Sequence, residues 1–508
     1  MMMRKSEIDD FPSGAHKRHS GVSLVVGRNK CLLVIALMAV GLPLIPAPIS
    51  DWRWHGLRTA VFELGAVALL SLSLAQRWTV DRRKHWRDAL QTLPLRSLVA
   101  LLGWGCISAL MAANKPFALQ GLLQLGAGAL ITLTVASEAR TRPQYEILLD
   151  ALTGTTLLIS LSGFILYGRD HSLLAVGLYQ DHMLYGAVFT ILLPIMLSVS
   201  LSPVSITRSL LARVAMVSGL VALGLAETRS SWIGLAAALL VFLALFLWTW
   251  FIASGDRLGL KAIFEQRRHI VVSGVLGLCV IGYFLVATPE VAQIGARLRT
   301  LTTTVAQGKE NSVEWRFTAW HGARLMIMQK PLLGWGIGCY SFYQFPFTGM
   351  GHKMAEVKTQ WPTILDETHN SYLQIAVELG LPGLLLWLGV LISTFSLGVS
   401  ALRRFTLGGQ RQWTLIGCLS ALTGQAVDAV ANPGWQFGEV NLFLWMTLGM
   451  TVALALGLPD RAVESQDHRP GGITAILGAS KIVLALATGI GLLWLILHTA
   501  SFLPAPRL

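Results

Sequence analysis

The stretch LDETHNSYLQIAVELGLPGLLLWLGVLISTFSLGVSALRR, Leu365 to Arg404, changes character partway along. Its first part gathers Asp366, Glu367, His369 and Asn370, whereas residues 379–402 contain no charged side chain. About 20 consecutive apolar residues in helical form cross the hydrocarbon core of a bilayer. Residues 379–402 therefore read as a membrane span, and the polar residues ahead of them as a helix start at the membrane surface. Gly380 and Pro382 mark a break before the apolar run.

The same kind of apolar run recurs along the chain. Spans are expected near 31–49, 57–76, 96–113, 117–137, 147–168, 182–201, 208–226, 230–253, 269–288, 379–402, 412–430, 441–457 and 479–500. The 508 residues are 54% hydrophobic and only 13% charged, where a soluble chain carries roughly a quarter charged residues. The runs are continuous, which excludes the alternating pattern of a β-barrel. The fold class is an all-α polytopic membrane protein of about 12–13 transmembrane helices. One long, partly helical loop interrupts them. The chain divides into an N-terminal arm, 1–30, a first bundle of about nine spans, 31–288, the loop, 289–370, and a C-terminal bundle, 371–508.

Three basic segments, RWTVDRRKHWRD, DRLGLKAIFEQRRH and LRRFTLGGQRQ, fall on one side of the membrane with that count, together with Lys17, Arg18, Arg28 and Lys30 of the arm. The positive-inside rule makes that side cytoplasmic. The net charge of +13 is accounted for in this way, and no nucleic-acid partner is expected. About thirty mostly polar residues precede a first span longer than a signal-peptide core, so no cleavable signal is expected. The five cysteines show neither metal-ligand spacing nor a disulfide framework.

The long loop then lies on the opposite side, where three polar stations stand out. In ETRSSWIG, Arg229 sits between two spans, with Ser230 or Ser231 as an N-cap of the second. A helix N-terminus with an arginine beside it suits an anion, although an interfacial arginine can also simply snorkel to headgroups. In EWRFTAWHGARLMIMQKPLLGWGIGCYSF, residues 313–329 have helical period. Arg316, Trp320, Ala323 and Ile327 share one face, and Pro331 ends the helix. Arg316 could hold phosphate bidentately or be an ordinary polar-face residue. The glycines of GWGIG make a compact turn region and not a dinucleotide fingerprint, since no strand precedes them. At the third station Thr368 and Ser371 are helix-start residues, and SYLQ fits a capping box with Gln374. His369 is placed at a helix N-terminus, whose positive end disfavours a charged imidazole. Its pKa is expected to be lowered, leaving the neutral form that a general base requires. The bland alternative is that His369 and Asn370 only cap the helix. Asp428, in GQAVDAVANPGW, is an ionisable group at the same end of a span. It is a functional candidate, a partner for a neighbouring helix, or an orienting group for His369.

In order and position these stations resemble the O-antigen ligase and polymerase superfamily of bacterial envelope glycosyltransferases. The resemblance rests on Arg229 in TRSSW, on RFTAWHGARLMIMQKPLLGWGIG, on HNSYLQIAVELGLPGLL with its E-x-G pair, and on a long loop between the ninth and tenth spans. It implies a GT-C-like fold in the bacterial inner membrane with the site facing the periplasm. Within the superfamily the chain looks most like the ligases, which move a finished glycan from undecaprenyl diphosphate to a sugar of lipid A–core. The resemblance implies that His369 is the essential loop histidine and that Arg229 and Arg316 engage the diphosphate. Asn370 and Asp428 are supporting positions. Such members are described with twelve spans and both ends cytoplasmic, one span fewer than expected here.

The residue types suit that chemistry. Departure of a lipid diphosphate needs positive charge on phosphate oxygens, which two arginines and a helix N-terminus supply without a metal. A sugar hydroxyl needs a base, and His369 would supply roughly 10²–10⁴-fold. One base and no evident carboxylate nucleophile favour a single inverting displacement. No cofactor and no metal are expected, since the loop holds no D-x-D motif. The nearest alternative is an O-antigen polymerase using the same donor. A protein O-oligosaccharyltransferase is a further relative, and a lipid or glycan transporter is the alternative from another class. Transporters show internal repeats and paired broken helices, which are not seen here.

Overall fold

The computed structural model of the chain describes residues 29–45, 53–76, 79–169, 177–179, 181–254, 311–348, 367–405 and 408–457. The N-terminal arm up to residue 28, the expected spans at 269–288 and 479–500, and the basic segment DRLGLKAIFEQRRH lie outside these residues. Every regular element among the described residues is helical. Nine of those helices are long and apolar enough to cross a bilayer, which makes the chain a multi-pass membrane protein.

Three expected spans come out differently. The described residues of the segment expected at 31–49 form a helix over Lys30–Gly41, followed by a 3₁₀ turn at Leu42–Leu44. Pro43 in that turn has no backbone N–H to continue an α-helix. The segment expected at 412–430 is the Gln410–Asp428 helix. It falls short of the other nine in hydropathy because Gln410, Arg411, Gln412, Gln425 and Asp428 lie along it. All five are buried. The tenth expected span begins eight residues early, since the helix runs from Ser371 to Leu402.

The centre of the bundle is formed by the His182–Leu201 and Gly438–Leu456 helices, apolar and buried almost all round. Helix pairs approach closely where residues are small, as expected where lipid provides no hydrophobic drive between helices. A methyl group at Gly234 would sit 2.7 Å from the Gly424 carbonyl oxygen. This contact draws the start of the Arg229–Ser254 helix onto the end of the Gln410–Asp428 helix.

The two ends of the bundle differ in chemistry. At one end Arg140 pairs with Asp88 at 3.5 Å, Arg411 donates to the Arg140 carbonyl at 2.7 Å, and Arg404 donates to that of Ala455 at 3.1 Å. The described parts of the basic loops therefore meet there, as the charge pattern requires, and the Val80–Leu90 helix belongs to that end. At the other end lie the starts of the His182, Arg229 and Ser371 helices and the end of the Gln410–Asp428 helix. There, too, Arg58 and Glu439 form a fully buried ion pair at 3.2 Å. Arg58 also donates to the carbonyls of Ile45 and Leu178.

The described part of the long loop is helical, as expected. It contains the Asn311–Gln329 helix and two one-turn helices, Tyr340–Tyr343 and Phe345–Thr348. The turn region between them docks on a break in the Ser371–Leu402 helix. Gly380 has φ 71° and ψ 179° within that helix. The carbonyls freed there find other donors: Trp335 N at 2.9 Å on Val377 O, Gly336 N at 3.1 Å on Glu378 O, and Trp104 Nε1 at 2.7 Å on Leu379 O. A side chain at Gly380 would collide with the Leu332 carbonyl oxygen, 2.0 Å away. The glycines of GWGIG thus let one backbone lie directly against another, and the turn region is structural.

Candidate functional site

Five segments far apart in sequence meet at the polar end. Asp181 caps the His182–Leu201 helix, accepting from Met183 N at 2.6 Å and Leu184 N at 3.1 Å. Thr228 precedes Arg229, the first residue of its helix, and its hydroxyl donates to the His182 carbonyl at 2.7 Å. The helix starts one or two residues before the serines expected to cap it. Ser231 instead faces Asp428, donating to Oδ1 at 3.0 Å. Asn432 donates to the Met183 carbonyl at 2.9 Å, and Ser371 donates to the carbonyls of Ala429 and Asn432 at 2.9 and 3.0 Å. Arg316 Nη2 lies 3.8 Å from Met183 Sδ. Trp320, one turn beyond Arg316, donates its indole N–H to the Thr368 carbonyl at 3.0 Å. Arg316 and Trp320 do share a face, and Ala323 on the same face is buried.

Asn370, not Ser371, caps the Ser371–Leu402 helix: its Oδ1 accepts from Tyr372 N and Leu373 N, both at 3.0 Å. The expected capping box is therefore displaced. Gln374 reaches back past the cap to accept from Thr368 N at 3.0 Å. Both are good cap formers, but the Ser371 hydroxyl is taken by Asn432 and its amide by Ala429.

His369 has φ 52°, and Glu227, two residues before Arg229, has the same value. They are the two non-glycine residues with positive φ among the described residues. Histidine reaches this region more readily than most side chains, yet each instance costs on the order of 1–3 kcal/mol and needs surrounding structure to hold it. The flanking Thr368 and Asn370 are buried and mutually hydrogen-bonded: Thr368 Oγ1 donates to Asn370 O at 2.6 Å and accepts from Asn370 N at 3.1 Å.

The His369 imidazole is held down to a pKa of about 4. Burial is the first cause, and the Arg316 guanidinium is the second. Asp181 pulls the pKa back up, and His182 adds a smaller push downward. The expected direction is met, with burial and Arg316 as the main causes in place of the helix dipole. Nδ1 is buried and has no hydrogen-bond partner among the described residues. Asp428 is fully buried, so its carboxylate fixes the beginning of the Arg229 helix through Ser231 and does not face solvent.

Arg316, His369 and Asn370 are thus brought together, while Arg229 and Asp428 are joined to them through the Thr228–His182 and Ser231–Asp428 contacts. The sequence reading passed over Asp181 and His182. Their only signal was a polar pair opening an apolar span, which is also what an ordinary helix cap looks like.

Fold and site together define a multi-pass helical membrane protein with a cationic, histidine-bearing site at one end of the bundle. Residues 214–388 match the family model described as O-antigen ligase. The matched region contains Arg229, Arg316 and His369 and ends before Asp428. No curated protein matches the chain. The match supports ligase- or polymerase-type function in general terms.

Proposed function

We propose that this protein is an O-antigen ligase of the bacterial inner membrane, working on its periplasmic face. It would transfer a polymerised glycan from undecaprenyl diphosphate to a sugar hydroxyl of lipid A–core. The observation that supports this best is the placing of His369 within the electrostatic reach of Arg316, at a point where three helix N-termini gather.

In the proposed reaction His369 takes the proton of the acceptor hydroxyl. The oxygen attacks the anomeric carbon of the donor glycan, and the bond from that carbon to the phosphate oxygen breaks. The electron pair leaves with the lipid diphosphate, whose charge is met by Arg316, Arg229 and the positive helix ends. The proton then passes from His369 to solvent. A single displacement of this kind inverts the anomeric centre. The arginines and helix ends perform the charge stabilisation without calling on a metal ion.

The test is transfer by the purified protein in lipid, given a polymerised undecaprenyl-diphosphate glycan and lipid A–core, with His369→Ala run beside wild type. Product on lipid A–core from wild type alone supports the proposal. Longer chains still on undecaprenyl diphosphate identify a polymerase instead, and undiminished transfer by His369→Ala removes that residue from the role of base.

A further inference from the structure

A continuous line of buried hydrogen bonds runs from the glycine turn region to the histidine. Gly338 N donates to Glu378 Oε2 at 2.8 Å, and Tyr340 N makes a longer contact with Oε1 at 3.4 Å. Gln374 Nε2 donates to the same Oε1 at 2.9 Å. The other end of that amide, Gln374 Oε1, accepts from Thr368 N at 3.0 Å. Thr368, Gln374 and Glu378 are all buried. Each link fits one donor to one acceptor, so the line has a direction. It ends on the residue next to His369, whose backbone is strained at φ 52°. Trp320 holds the carbonyl of the same Thr368 from the opposite side.

We propose that Gln374 and Glu378 are positioning residues for His369, a buried polar strut that anchors the strained histidine turn to the glycine loop docked on the broken helix. This inference rests on the reading of His369 as the base. Two turns of apolar helix could have packed the same space with leucines. A buried carboxylate is instead met here by three N–H groups, and that arrangement fixes direction and distance in a way apolar packing does not. A strained turn on a loop would otherwise relax. A displacement of about 1 Å at a reacting group costs on the order of 10²-fold in rate.

The direction of the line supplies the experiment. Gln374→Met keeps the bulk but leaves Thr368 N without its acceptor. Glu378→Gln cannot serve both neighbours: with its oxygen toward Gln374 its NH₂ meets Gly338 N, and with its NH₂ toward Gln374 two NH₂ groups meet or Gln374 turns its NH₂ onto Thr368 N; one link fails in every case. The swap Gln374→Glu/Glu378→Gln restores every link but the longer Tyr340 contact. A carboxylate then accepts from Thr368 N and from the new amide, whose oxygen accepts from Gly338 N. Transfer kinetics are measured for all variants in lipid, with monodispersity and melting temperature followed alongside. We expect Gln374→Met and Glu378→Gln to lower kcat roughly 10- to 100-fold with donor KM within about twofold. The swap should return kcat to within about threefold of wild type.

A Gln374→Met protein with wild-type kcat overturns the inference. If that variant does not fold, Glu378→Gln against the swap decides it, because the second substitution must raise kcat, and a swap no better than the single variant overturns the strut. His369→Ala in the same series separates the two readings. Full transfer without the histidine sinks the base assignment and the strut with it. Loss of transfer in His369→Ala beside full transfer in Gln374→Met sinks the strut alone.

Discussion

The protonation of His369 can be followed directly. The drop from an ordinary 6.5 to about 4 makes the charged form about 3 kcal/mol harder to hold in the folded protein. At pH 5.5 an imidazole with a pKa of 4 is about 97% neutral, whereas an ordinary one is about 9% neutral, a difference of roughly tenfold in reactive base. Diethyl pyrocarbonate acylates only neutral imidazole, so the rate of labelling at His369, read by peptide mass spectrometry across pH, reports its protonation whether or not transfer occurs. Half the plateau rate is expected near pH 4. Arg316→Gln should move that midpoint up, since the cation pushes it down, and Asp181→Asn should move it further down, since the carboxylate pulls it up. A stability effect follows from the same numbers. A histidine whose folded pKa lies below its unfolded one costs nothing above about pH 6.5. The cost grows as pH falls toward 4, where wild type should have lost about 3 kcal/mol more than His369→Gln. A midpoint near 6.5, or the same direction of change in both charge variants, would refute the placing of His369 between Arg316 and Asp181.

Three further outcomes test the surroundings. Gly380→Ala should destabilise the protein by at least about 3 kcal/mol, because its methyl group would meet the Leu332 carbonyl oxygen at 2.0 Å; an unchanged melting temperature in nanodiscs would contradict the docked break. Glu439→Gln should cost about 3–5 kcal/mol by leaving Arg58 buried without its carboxylate, and Arg58→Met/Glu439→Met should recover part of this in the same assay. Asp428→Asn keeps an oxygen for Ser231 and should retain transfer, while Asp428→Ala should cost about 1–3 kcal/mol in stability; abolition of transfer by Asp428→Asn in a stably folded protein would contradict a purely structural role for Asp428.

The spans were legible because bilayer thickness imposes a length on apolar runs that local sequence displays directly. The exceptions follow from the same logic. The Gln410–Asp428 helix is polar in composition and still central, because neighbouring helices enclose its polar groups, including Arg411 against the Arg140 carbonyl. The polar stations were legible as helix starts, and Arg316 and Trp320 as one face. What escaped was pairing at a distance. Arg58 and Glu439 stand 381 residues apart, and nothing local to either announces the other. The choice of Asn370 over Ser371 as cap was hidden for a related reason, since it depends on Asn432 and Ala429 occupying Ser371. GWGIG was legible as a turn region, but its contact with the carbonyls of residues 377–379 arises only once Gly380 breaks the helix.

On the proposed reading, the polar end of the bundle meets two demands that usually conflict. A diphosphate needs positive charge close by, and a general base needs to be uncharged. Here the helix ends at His182, Arg229 and Ser371 and the side chain of Arg316 supply the positive field, while burial first and Arg316 second keep the His369 imidazole neutral. The site then holds a base that is fully available at neutral pH but weak, because a pKa of about 4 lies well below the operating pH at which proton transfer is most effective. On this reading, arrival of the donor alters the balance. The diphosphate offsets part of the push from Arg316, and the affinity of His369 for a proton rises while the acceptor hydroxyl is present. The histidine is strongest as a base only when a leaving group is in place, which suits an enzyme whose energy-rich donor must be kept from water.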